Sequence, residues 1–332
     1  MTSRWLRTPA LMAALVLALG VLVGGCGNGA VGGGSGKQKA ITIAYQPGIG
    51  YAPLLVAKQK RLLEKKFPDR KFTWKVLNSG SAIRDGMLSG KIQIGAGGIG
   101  PFLVGASQGV QWRIVSSLDD ANLQLMAKNP KIKTLADLKG KGQIAMPGPD
   151  SIQAVVLQKA AQEKLGNAHA FDNQIIAMGH PDGLQALASG QVAAHLTSPP
   201  FQDQEKAQGA RALVGSYEVF GKTTFNSTFV MNNFAKSNGD VVSALRDATA
   251  SSVQELQNDP AAAAKALAAE GSAGKDAATL QKQITASDIT YTTKPTGFMT
   301  FATFMKQSGA IKKAPKSASS LFIPSDLTKG GS

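Results

Sequence analysis

From residue 40 onward the chain alternates between two hydrophobic periods. Short apolar runs, some with a period of two, are separated by Gly/Pro turns from stretches with the 3.6-residue period of an amphipathic helix. Residues 41–45 read as a strand. Residues 53–66 read as one helix with Leu54, Leu55, Ala57, Leu62 and Leu63 on its core face and Pro53 in its first turn. Strands at 72–77, 92–96 and 112–118 then alternate with helices at 81–89, closed by Gly90, and 101–107. A second block repeats the pattern. Strands fall at 123–127, 143–146, 175–178 and 192–196, with helices at 134–140, 151–165 (capped by Asp150), 182–189 and 201–208. After a strand at 225–231 the chain turns helical, over 239–257, 260–269, 276–284 and 296–307. No fixed-period repeat is present. This alternation predicts an α/β fold with parallel sheets covered by helices on both faces.

The first forty residues have a different character. Arg4 and Arg7 precede an apolar run of 13 residues, Leu11 to Val23. A bilayer-spanning helix takes ~20 residues, so residues 1–25 read as a signal peptide. The run ends in Leu22-Val23-Gly24-Gly25-Cys26, which resembles the bacterial lipoprotein box, and Cys26 is the sole cysteine. The resemblance implies lipidation at Cys26. Residues 26–39 then form a Gly/Ser-rich tether. The expected layout is a folded body exported and lipid-anchored to the cell membrane, facing the periplasm or the cell exterior.

Composition narrows the chemistry. With 332 residues, two domains are expected. One cysteine excludes an internal disulfide and a Cys-cluster metal site, and three histidines (169, 180, 195) argue against a His-rich one. No metal and no cofactor are expected. The net charge is +15; without Arg4 and Arg7, 34 basic against 21 acidic residues leave +13. The basic residues are scattered without interleaved aromatics, so a solvated surface is expected and nucleic acid is not a partner. There is no G-x-S-x-G elbow, no H-E-x-x-H helix and no triad spacing. No catalytic residue is assigned and an enzyme is not expected.

Five turns carry candidate ligand-binding residues. Ligands of open parallel sheets bind beyond the carboxyl ends of strands, where helix N-termini offer free N–H groups to anions. Gln46, Gly48 and Tyr51 follow the first strand. Ser79, Gly80 and Ser81 follow the second, and Gly97, Gly98 and Ile99 the third. Asp150, Ser151 and Gln153 open the long helix, and Thr197 and Ser198 stand on the opposite wall. Each has a plainer alternative. Ser79, Ser81 and Ser151 suit helix caps, and 97–100 suits a tight turn and lacks the dinucleotide spacing. Tyr51, Phe201 and His195 suit a core. Asn226, Ser227 and Thr228 are candidates for hinge or cleft donors. Asp150 complicates an anion site, and the nearest cations, Arg84 and Arg113, lie outside the five turns. Either Asp150 only caps its helix, or the ligand carries a cationic or N–H donor group.

Four segments carry a wider resemblance: ITIAYQPGIGYAPLLVAKQKRLLEKKFP, LNSGSAIRDGMLSGKIQIGAGGIGPFLVGASQGV, IKTLADLKGKGQIAMPGPDSIQAVVLQKA and ALASGQVAAHLTSPPF. In order and spacing the chain resembles the substrate-binding proteins of ABC importers in the sulfonate, nitrate and taurine class over about residues 40–232. The resemblance implies a periplasmic-binding-protein type II fold with a hinge between two α/β domains, the first at 40–117 plus 223–332 and the second at 118–222. It implies a monomer that captures a small sulfonate-, nitrate- or taurine-like ligand in the cleft. An ABC permease with ATPase subunits would receive it. A tethered sensor or scaffold is the alternative. A pyrimidine-pathway enzyme on the same fold is disfavoured, since those relatives are associated with a Cys-rich stretch this chain lacks.

Overall fold

The computed structural model describes residues 37–271 and 275–323. The expected signal peptide, Cys26 and the tether through residue 36 lie outside the described residues. Eleven strands are present among them: β1 (Ala40–Tyr45), β2 (Lys71–Val76), β3 (Ile94–Gly98), β4 (Trp112–Ala121), β5 (Gln124–Ala127), β6 (Ile144–Met146), β7 (Ile175–Ala177), β8 (Ala194–Thr197), β9 (Arg211–Gly215), β10 (Thr224–Met231) and β11 (Ile289–Tyr291). They form a six-stranded sheet ordered β11-β4-β10-β3-β1-β2 and a five-stranded sheet ordered β7-β6-β8-β5-β9. Central β3 is buried at every position, as a strand covered on both faces must be, whereas Lys71, Thr73 and Lys75 expose one side of edge strand β2.

Both sheets are mixed rather than all parallel. β1 runs parallel to β2 and β3, but β10 is antiparallel to β3 and β4, and β5 is antiparallel to β8 and β9. The cause is the double crossing between sheets. The chain leaves the first sheet along β4 and returns along β10, so these two neighbours must run in opposite directions.

Three local expectations change. The helix expected over 53–66 is two, Ala52–Gln59 and Leu62–Lys66, because Arg61 adopts a left-handed φ of 55°. That break turns Leu63 into the core at 1% exposure. Strand β4 runs on through Asp119 and Asp120, which strand propensity disfavours. Their carboxylates are held inside the sheet: Asp119 Oδ1 accepts the Asn226 backbone N–H at 3.1 Å, and Asp120 Oδ1 accepts the hydroxyls of Thr296 and Thr224 at 2.6 and 3.2 Å. Finally, Asp150 does not cap the long helix Ile152–Leu165. Ser151 does, its Oγ accepting the Ala154 N–H at 3.2 Å. Strands β9 and β11 and the helices Ser216–Phe220 and Asn232–Ser237 are not among the elements expected from sequence.

The core beside the first sheet centres on Phe102, Trp112 and Phe229. The Phe102 and Trp112 rings stack at 5.0 Å, and Phe229 lies 5.6 and 5.3 Å from them. This packing anchors the helix Ile99–Ser107, whose N-terminus faces the second sheet's long helix.

Candidate functional site

The turn after β1 sits against the turn after β8. Gly48 has φ 138°, a region that L side chains avoid. A Cβ there would lie 3.6 Å from the Pro199 carbonyl oxygen and 4.0 Å from Ser198 Oγ, ordinary contact distances, so the backbone conformation and not the space favours glycine where the turns meet. Gln46 is 8% exposed, and its Oε1 accepts a hydrogen bond from the Tyr51 hydroxyl at 3.2 Å. Burial, with the nearby Asp119, pushes the Tyr51 hydroxyl pKa well up, so Tyr51 stays a donor.

A second contact joins two helix N-termini. A Cβ on Gly100 would lie 2.8 Å from the Ile152 nitrogen and 3.1 Å from the Asp150 carbonyl oxygen. Backbone therefore fills the space beside Gly100 in the first turn of its helix. Beside them, Arg84 Nη1 donates to Asp150 Oδ2 at 2.8 Å. The acid expected to complicate an anion site is thus paired with Arg84, one of the two cations named as nearest. Arg84 lies outside the five turns in sequence, but the helix Gly80–Leu88 carries it back to the acid.

Between the sheets lies a cavity of about 390 Å³. Tyr45, Leu55 and Val76 wall one side and Leu184, Pro200 and Phe201 the other. Gln46, Gln185, Gln204 and Lys275 supply polar groups. A smaller hollow of about 10 Å³ shares Gln46, Pro47 and Gly48 with it and is closed by Tyr51, His180, Ser198 and Asn226.

A buried chain of side chains runs away from the hollow through His180. Gln153 Nε2 lies 3.0 Å from His180 Nε2, His180 Nδ1 lies 3.0 Å from His195 Nε2, and His195 Nδ1 lies 2.5 Å from Glu205 Oε1. Burial drives His195 down to about 3 and lifts Glu205 up to about 8; burial and the neighbouring His195 hold His180 well below its ordinary value. Both imidazoles are therefore neutral at neutral pH, each with one donor and one acceptor nitrogen. His195 is a satisfied core histidine, as its apolar strand suggested.

Of the sequence-derived candidates, Gln46, Gly48, Tyr51, Ser198 and Asn226 line the two hollows, and Phe201, expected in a core, walls the larger one. Gly80 and Gly97 pack behind Gln46: Cβ atoms on them would lie 3.8 and 3.4 Å from Gln46 Oε1. Ser79 caps the helix Gly80–Leu88 and lies 3.1 Å from Ser81 Oγ. Gly98 and Ile99 are buried, Gly98 against Ile152. Thr197 is buried with its hydroxyl unpaired, Ser151 is a cap, and Gln153 holds His180. None of these lines either hollow. Sequence reasoning missed His180, Phe225 and the apolar wall of Leu55, Val76 and Leu184. His180 opens a helix directly after a strand's turn, the same signal that marked Gln46. Among the described residues no group of three or more His, Cys, Asp or Glu side chains could hold a metal ion, and no helix is long and apolar enough to cross a membrane.

The fold and sequence match known proteins. The solved ligand-binding component of an ABC-type import system from Staphylococcus aureus, with zinc bound, superposes with a TM-score of 0.70 at 18% identity, covering 89% of this chain and 99% of that one. The alkanesulfonate-binding protein SsuA from Xanthomonas axonopodis pv. citri, bound to MOPS, gives 0.68 at 22% identity, covering 84% and 96%. The architecture is thus the two-domain α/β fold of periplasmic binding proteins. The "Putative aliphatic sulfonates-binding protein" of Escherichia coli strain K12 is 29% identical over 177 residues, 52% of this chain and 53% of that protein, so the match spans about half of each. Residues 34–270 match the NMT1-like family, and the chain belongs to that family.

Proposed function

We propose that this chain is the solute-binding component of an ABC importer. The observation that carries the reading is the cavity of about 390 Å³ walled by turns from both sheets. A small solute seated there touches both halves at once and so favours the closed arrangement. The two domains are residues 40–117 with 223–332, and 118–222, hinged at the β4–β5 and β9–β10 crossings. The closed monomer delivers its ligand to a membrane permease driven by ATPase subunits, and makes and breaks no bond itself. The signal-like segment and Cys26 support export and a lipid tether that keeps the body near the permease. The sulfonate-binding relatives support a small solute as the ligand.

The test is a thermal-shift screen over alkanesulfonates, taurine, nitrate, bicarbonate, pyrimidines and amines. A ligand at 100 times its Kd stabilises the folded state by about 2.7 kcal/mol. A saturable rise in Tm for one class, with stoichiometric binding and no product, supports the reading. A flat response to the whole panel overturns it.

A further inference from the structure

Asn226 is 0% exposed and lines the smaller hollow, yet neither its side-chain Oδ1 nor its Nδ2 has a hydrogen-bond partner. Its orientation is set from behind. A Cβ on Gly50 would lie 2.5 Å from Asn226 Nδ2 and 2.8 Å from Asp119 Oδ2, so the amide nitrogen and the carboxylate border the same spot. The amide thus sets Nδ2 on the Asp119 side, where neither Nδ2 nor Asp119 Oδ2 completes a hydrogen bond, and leaves Oδ1 as a buried acceptor. Gln46 Oε1, an acceptor already taking the Tyr51 hydroxyl proton, bounds the same hollow. At about 10 Å³ the hollow has room for one water-sized group.

The charges nearby point the same way. His180 is neutral, Arg84 is paired with Asp150, and Lys275, the one lysine or arginine among the described lining residues, is exposed. Asp119 stands directly behind Asn226, but burial raises its carboxyl well above the ordinary range, so it supplies no fixed negative charge. Beside the hollow, the apolar wall of Leu55, Leu184 and Phe201 suits a hydrocarbon or aromatic tail.

We propose that the ligand is a primary amine: its ammonium group enters the small hollow and donates to Asn226 Oδ1 and Gln46 Oε1, and its apolar remainder fills the larger cavity. This rests on the solute-binding reading and names the ligand's class. A simple sulfonate or nitrate brings only acceptors to the two amide oxygens.

The test compares head groups on identical tails. Calorimetry is run with butylamine, hexylamine and phenethylamine against butanesulfonate, hexanesulfonate and 2-phenylethanesulfonate. Amines binding at least 10-fold tighter than the matching sulfonates support the proposal. Sulfonates binding equally or more tightly overturn it and leave the solute-binding reading standing. Silence from both series, with a Tm rise for another class in the wider panel, overturns only the amine; silence from every compound overturns both. Asn226→Leu should lower amine affinity at least 10-fold. Because a buried leucine there can unsettle the fold, Asn226→Asp is the companion: it keeps the acceptor oxygen and should hold amine affinity. Equal amine affinity in the wild type and both variants overturns the assignment of Asn226.

Discussion

Gly100 and Ile152 meet backbone to backbone: the place a Cβ would occupy on Gly100 is 2.8 Å from the Ile152 nitrogen. Gly100 lies in the first turn of the helix Ile99–Ser107, where alanine suits the local conformation better than glycine by about 1 kcal/mol. Gly100→Ala therefore keeps its own helix and wedges the two N-termini apart. The expected result is unchanged far-UV circular dichroism, a larger radius of gyration by X-ray scattering with ligand present, and ligand affinity lower by about 10-fold. Scattering and affinity equal to wild type would show that this contact plays no part in closure.

The histidine chain gives a pH signature. Glu205 loses its proton near its ordinary 4.5 in the unfolded chain and near 8 in the folded one, because burial disfavours the carboxylate. Between those values the folded protein holds the extra proton, so this residue's contribution to stability falls as pH rises, by at most about 1.4 kcal/mol per pH unit. Glu205→Gln keeps an acceptor for His195 Nδ1 and removes the titration. Urea denaturation at pH 5, 6.5 and 8 should show the wild type losing ground to the variant at each step. The two histidines act in the opposite sense, since their folded values lie below the ordinary 6.5. Their stability contribution is present above 6.5 and is lost on acidification in both proteins. Parallel stability curves for wild type and variant would contradict the Glu205 assignment.

Much of this arrangement was legible because period and punctuation are local. The strands at β1 and β2 and the long helices of the second half show their pattern within a dozen residues. Gln46, Gly48 and Ser198 were found because each stands just past a strand. Other parts depend on neighbours distant in sequence. Asp119 and Asp120 read as a strand end until Asn226, Thr224 and Thr296 are brought to them from over 100 residues away. Arg84 reaches Asp150 across 66 residues, and the Glu205–His195–His180 chain spans two helices and a strand. The direction of β10 was hidden for the same reason, because sheet crossing leaves no mark on hydrophobic period.

Arg84 and Asp150 supply an ionic contact across the same seam. Their side chains are 17% and 23% exposed, so water and salt screen the pair only in part. Arg84→Met keeps most of the stem and removes the charge, leaving Asp150 beside the Ser151 cap. A double-mutant cycle with Asp150→Asn should give a coupling of about 1 kcal/mol. Ligand affinity in the wild type should also fall as salt rises from 50 to 500 mM more steeply than in the double variant. Additive single effects and matching salt slopes would assign the pair to the surface rather than to closure.

The aromatic core under the helix Ile99–Ser107 links stability to the site. Phe102 is 1% exposed, stacks on Trp112 and touches Phe229, and a Cβ on Gly105 would run into the Trp112 ring. The cluster therefore has neither a void to collapse into nor room to grow. Phe102→Ala leaves a cavity and should cost 3 to 5 kcal/mol, roughly the range for buried aromatics. Gly105→Ala overfills the same space and should cost about 1 to 3 kcal/mol. Because this packing seats the helix whose first turn meets Ile152, both variants should also lose ligand affinity in the residual folded fraction, and Phe102→Leu should restore most of both properties. Guanidinium denaturation and calorimetry on the three variants check this. A Phe102→Ala protein within about 1 kcal/mol of wild type would mean that the cluster is not the support of this helix.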